Sequence, residues 1–179
     1  MNRAFFAVLG ATLRSVIRDR VFHALFLGAA LILLCAPAFS LFSLRQVQEL
    51  ALTLTLSAVS MTLLLLSVML GGFAVWRDVE RRYTSAVLGL PLSRASYLLG
   101  KFTGVAASLF LSSFVLGLAS AAVILFVSTL APSDRPILWS NFCVAIVYDT
   151  LKYLLLAAFA LFFSSLSTSF FLPVFGTLS

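Results

Sequence analysis

Leu50–Trp76 reads LALTLTLSAVSMTLLLLSVMLGGFAVW, a run without a single charged residue. It is too long for a buried strand and too uniformly apolar to be one face of an amphipathic helix. A run of this length as a helix crosses the roughly 30 Å hydrocarbon layer of a bilayer. Only a helix or a closed barrel satisfies its own backbone hydrogen bonds there, and the sequence lacks the short alternating segments of a barrel. Leu50–Trp76 is therefore read as a membrane-spanning helix.

The flanking sequence repeats the pattern. Val21–Leu44 has no formal charge apart from a protonatable His23, and Pro37 is expected to kink it near its far end. Phe102–Leu130 is a third span, rich in the Ser, Gly and Ala that let helices approach closely in lipid. Residues 141–165 are long enough for a fourth, although Asp149 and Lys152 interrupt it. One register puts Lys152 well inside the membrane, where a charge costs about 2.5–3.5 kcal/mol. The other keeps the segment up to Lys152 at the outer surface, and that cost favours it. Polar turns separate the spans at Arg45–Glu49 and Pro132–Pro136, and Phe170–Ser179 reads as the start of a partial fifth helix.

Composition excludes the soluble alternatives. The 179 residues are 62% hydrophobic and 10% charged, whereas a soluble domain keeps about a quarter of its residues charged. The net charge of +6, from 12 Lys+Arg against 6 Asp+Glu, lies beside the apolar runs. That placement suits membrane lipid headgroups and argues against nucleic acid. Cys35 and Cys143 both lie within apolar sequence and read as thiols packed in or near the membrane. The stretch after Arg20 is too long for a signal-peptide core, so the start of the chain is expected to stay in the mature protein.

Residues 1–20 are expected to form an interfacial amphipathic helix. Arg3, Arg14 and Arg18 share one sector at helical periodicity, opposite Phe5, Leu9, Leu13 and Val16. Arg3, Arg14, Arg18 and Arg20, with Arg77, Arg81, Arg82, Arg94 and Lys101, outnumber the basic residues on the other side, Arg45, Arg135 and Lys152. The positive-inside rule then puts the N-terminus and residues 77–101 in the cytoplasm. The fold expected is all-α and polytopic, one transmembrane domain over 1–179, with spans 21–44, 50–76, 102–130 and 141–165.

Chemistry-bearing constellations are scarce. One histidine, no metal-ligand spacing and no phosphate-binding glycine loop point away from an enzyme or a nucleotide-binding chain, and no cofactor or metal is implied. The informative segment is 77–101, RDVERRYTSAVLGLPLSRASYLLGK. Val79, Tyr83, Val87 and Leu90 recur at helical spacing, with Asp78, Arg81, Arg82 and Ser85 elsewhere on the wheel. Pro91 ends that helix and Ser93 is placed to cap the next. An apolar stripe outside the membrane needs lipid headgroups or a partner protein to cover it.

Glu80-Arg-Arg, Leu88-Gly-Leu-Pro-Leu-Ser-Arg94 and Tyr97-Leu-Leu-Gly-Lys-Phe102 resemble the signature region of type-2 ABC exporter permeases. The likeness is greatest to the group involved in multicopper-enzyme maturation. Arg18-Asp-Arg and Phe162-Phe-Ser-Ser are similar to that group as well. The resemblance implies a permease of the bacterial cytoplasmic (inner) membrane, paired with a second permease copy or paralogue and driven by a cytoplasmic ABC ATPase. It makes Asp78, Glu80, Arg81, Arg82 and Tyr83 part of a coupling helix docked on that ATPase. Pro91, Ser93 and Arg94 would be its rigid turn, although each arginine also reads as an ordinary positive-inside anchor. The resemblance implies six spans, and the sequence stops before the fifth and sixth. It therefore reads as a fragment or a shortened permease. The rival reading is a stand-alone four-span scaffold or assembly protein without nucleotide coupling.

Overall fold

The computed structural model describes residues 2–42, 47–80, 94–130, 137–166 and 177. Among them the chain is helical almost throughout: α1 Asn2–Ile17, α2 Arg20–Leu41, α3 Val47–Glu80, α4 Arg94–Leu130 and α5 Trp139–Leu166. Four of these contain runs long and apolar enough to cross a membrane: Arg20–Leu41, Val47–Gly72, Tyr97–Leu130 and Trp139–Ser165. The protein is a polytopic all-α membrane protein.

The helices outrun the apolar segments that announce them. Residues 50–76 lie within a helix that starts at Val47 and continues to Glu80. The third span, expected from Phe102, sits in a helix already under way at Arg94. Hydrocarbon demands a helix, but polar flanks do not end one. Val79 and Glu80 therefore extend α3, where a separate amphipathic helix was expected to include them. Pro37 lies inside α2, and the helix continues beyond it to Leu41. The expected partial fifth helix, 170–179, lies outside the described residues apart from Thr177.

α3 is the central element, packed against α2, α4 and α5. Of its apolar run, 56% is buried inside the protein, against 22% for α2. Its Leu63 and Leu66 join Val105 and Leu109 of α4 and Ala157 and Leu161 of α5 in one core. Apolar burial alone does not drive helices together in lipid, so close backbone approach has to contribute. It does so at Gly71. A Cβ there would lie 2.6 Å from the Ala160 Cβ and 2.8 Å from the Ala157 carbonyl oxygen.

The N-terminal helix departs from expectation in its partner. α1 packs chiefly along α4, where Thr12 occupies the space a side chain at Gly104 would need. Val16 is buried, Leu9 and Leu13 are half-buried, and Arg14 and Arg18 are exposed. Part of the apolar face therefore meets protein. The turn into α2 is set by Asp19, whose carboxylate accepts the Val21 N–H at 3.0 Å as an N-cap.

Replacing Gly71 by alanine should force α3 and α5 apart, lowering stability by about 1–3 kcal/mol. Thermal or SDS titration in detergent would read the loss. Gly10→Ala, where a Cβ meets nothing within 4 Å, should leave the midpoint unchanged or raised.

Candidate functional site

Two features carry polarity that the fold does not need merely to span a bilayer. The first is one end of the bundle. Few residues separate α2 from α3 and α4 from α5, so consecutive spans alternate in direction. The end of α3, the start of α4 and the start of α2 consequently share one side. Thr12 on Gly104 brings α1 to the same side. Arg14, Arg18 and Arg20 are exposed there, and Lys101 lies 5.9 Å from the Tyr97 ring centroid. α3 continues helically past Trp76, the end of the charge-free run, to Glu80, a projection of about 6 Å at 1.5 Å per residue.

Three of the residues singled out from the sequence lie at that end. Asp78 and Glu80 sit in the last turn of α3, and Arg94 is the first residue of α4; the description extends to their backbone only. Arg81, Arg82, Tyr83, Pro91 and Ser93 lie outside the described residues. The helix boundaries bring the two ends of the segment to one side of the bundle. His23 has a local role: its Nδ1 donates to the Asp19 carbonyl oxygen at 2.8 Å.

The second feature lies within the spans, and the sequence alone does not single it out. The Tyr153 and Ser60 hydroxyls are hydrogen-bonded at 2.5 Å, joining α5 to α3. Ser113 and Thr150 make a second bond of 2.5 Å between α4 and α5. Ser164 donates to the Gly72 carbonyl oxygen at 2.7 Å. Almost the same length of chain separates Ser60 from Gly72 as Tyr153 from Ser164, so α3 and α5 run parallel and nearly in register. The remaining buried hydroxyls of the spans bond back to their own helices, as Thr55 does to the Ala51 carbonyl and Ser112 to that of Ser108.

This register favours the deeper of the two placements of Asp149 and Lys152. Ser60 lies ten residues inside the charge-free run Leu50–Trp76, about 4–5 Å from its middle, so Tyr153 and its neighbour Lys152 are level with the interior of that run. α5 is also one uninterrupted helix through the region. Lys152 Nζ lies 3.9 Å from Asp149 Oδ1, donates to the Tyr153 hydroxyl at 3.3 Å and sits 4.7 Å from that ring's centroid. These contacts offset part of the cost of about 2.5–3.5 kcal/mol for a charge at this depth. The one-turn spacing of the pair is visible in the sequence. Its depth follows only from the α3–α5 packing.

Among the described residues no three His, Cys, Asp or Glu side chains gather as a metal site would require. Cys35 and Cys143 are free and exposed on α2 and α5. No protein-family model, curated protein or solved structure matches the chain.

A double-mutant cycle on Ser60→Ala and Tyr153→Phe should return a coupling of about 0.6–1.7 kcal/mol, the range measured for hydrogen bonds between membrane helices. Strictly additive single effects would mean that the two hydroxyls do not meet.

Proposed function

We propose that the chain is the permease subunit of an ATP-driven exporter in the bacterial cytoplasmic membrane, with its basic end in the cytoplasm and residues 78–94 docking on an ABC ATPase. The observation that carries the reading is the shape of that end. α3 runs on to Glu80 past the charge-free run that ends at Trp76, and α4 begins at Arg94, ahead of the run that begins at Phe102, on the side where α1 and α2 place their arginines. The excess of basic residues there supports a cytoplasmic orientation. The resemblance of Glu80-Arg-Arg and Leu88–Arg94 to the exporter signature supports the choice of partner.

The mechanism follows from stiffness. A continuous helix transmits displacement along its axis because each turn is hydrogen-bonded to the next. Movement of an ATPase surface against residues 78–94 would act on the ends of α3 and α4 together. α3 passes through the centre of the bundle and contacts every other span, so its tilt repacks them all. ATP binding and hydrolysis in the partner would thereby shift the permease between inward-facing and outward-facing arrangements. Glu80, Arg81 and Arg82 supply the polar contacts to the ATPase, while Pro91, Ser93 and Arg94 hold the turn into α4. The permease itself needs no cofactor and performs no bond chemistry.

Two measurements test this. With Cys35 and Cys143 replaced by serine, a cysteine at Ser85 should react with an impermeant maleimide only after the cytoplasmic face is opened; labelling from outside reverses the orientation. The chain purified from native membranes should bring with it an ATPase that hydrolyses ATP. Glu80→Arg and Arg82→Glu should each lower that recovery by about tenfold or more. Undiminished recovery and ATP hydrolysis in both variants would remove the docking role and leave a membrane protein without nucleotide coupling.

A further inference from the structure

We infer that the corner between α1 and α2 binds an acidic phospholipid, whose phosphate is held by Arg14, Arg18 and Arg20 and whose acyl chain lies along α2. All three arginines are exposed. The Arg18 N–H donates to the Arg14 carbonyl oxygen at 3.2 Å, so the last helical turn carries Arg18 onto the face that Arg14 occupies. At 100° per residue the two lie about 40° apart, on the side of α1 opposite the buried Thr12 and Val16. Arg20 is the first residue of α2.

These cations stand at the apolar boundary. Thr12, seated on Gly104, is level with the start of the charge-free run that begins at Phe102, and Arg14 follows Thr12 by two residues. Arg20 heads the apolar run Arg20–Leu41. Lipid phosphates lie at this level. A guanidinium meets two phosphate oxygens at once, while its methylene stem lies on apolar surface. Asp19, the acid at the same corner, is engaged by the backbone: its carboxylate accepts the Val21 N–H at 3.0 Å.

An apolar stripe continues from the arginines into the membrane. Ala24, Leu27, Leu31 and Leu34 are all exposed and lie within about 40° of Arg20 around α2. From Arg20 to Leu31 the helix rises about 16 Å, half of the roughly 30 Å hydrocarbon layer and so the depth of one leaflet. The α2 run is also the least buried of the four, at 22%. A cationic head above a leaflet-long apolar stripe is the complement of an anionic amphiphile. A soluble anion has no use for the stripe, and a protein partner would have to bring acids to a level where lipid phosphates already lie. Phosphatidylcholine offers the phosphate but sets its own cation among the arginines, so the corner selects an acidic lipid. The site depends neither on the docking reading nor on which membrane face the corner occupies.

Quenching of tryptophan by brominated lipids, with the full chain in vesicles, tests the site. Trp76→Phe and Trp139→Phe remove the native signals. Leu27→Trp then reports from the stripe, and Phe114→Trp, exposed on α4, serves as the reference. In mixtures of phosphatidylglycerol and phosphatidylcholine, brominating one lipid at a time gives the relative affinity of each for the reporter. Leu27→Trp should prefer phosphatidylglycerol by about fivefold or more, and Phe114→Trp should show little preference. Adding Arg14→Gln with Arg18→Gln should bring the stripe reporter down to the reference, with quenching by phosphatidylcholine kept as the sign of correct insertion. Arg20→Gln, which leaves α1 untouched, should lower the preference about twofold or more. Equal affinities at Leu27→Trp, the same preference at both reporters, or a preference that survives the glutamine changes would each overturn the inference. So would a stripe reporter that neither lipid quenches, because protein would then cover the face.

Discussion

Hydrocarbon accepts no hydrogen bonds, and the architecture follows from that constraint. The backbone meets it by remaining helical through every apolar run. Most hydroxyls meet it locally, donating to a carbonyl three or four residues earlier in their own helix. Among the described residues no buried side-chain nitrogen or oxygen is left without a partner. The polar groups that reach beyond their own helices are concentrated on α5, where Tyr153, Thr150 and Ser164 bond to α3 and α4. α5 is thereby held in azimuth and in depth. Its packing is specific in a solvent that gives apolar surfaces little reason to prefer one another.

Small residues supply the other half of that specificity. Gly71 lets α3 come within contact of the α5 backbone, and Gly104 gives Thr12 a seat on α4. Dispersion forces act over short distances only, so these two approaches bring long stretches of neighbouring side chain into range. The resulting register, more than any hydropathy profile, decides which residues share a level in the bilayer.

The number, type and approximate limits of the spans are legible in the sequence because lipid imposes a simple rule on charge-free runs such as Leu50–Trp76. The packing is less so. In water an apolar stripe marks the buried face of a helix; in lipid both faces are apolar and the stripe says nothing. Phe110 and Leu109 are adjacent and chemically alike, yet one is exposed and the other fully buried. For the same reason nothing in the sequence marks Tyr153 as the partner of Ser60, or sets the depth of Lys152. α1 is the intermediate case. Its amphipathic pattern is readable, but a pattern cannot tell whether lipid or α4 receives the apolar side. The segment proposed to dock is the reverse: Arg81–Ser93 is the most distinctive stretch of sequence, and it lies outside the described residues.

The seating of α1 has a mechanical corollary. α1 touches α2 only slightly, although just Arg18 and Asp19 stand between their helical residues. Its main grip is on α4, far along the chain. The chain's beginning therefore acts as a clasp, fastening the entrance of α2 to the entrance of α4 with the Asp19 cap as its pivot. Any inclination of α4 must drag that pivot along or prise Thr12 off Gly104, so two spans distant in sequence behave as one stiff frame at the basic end.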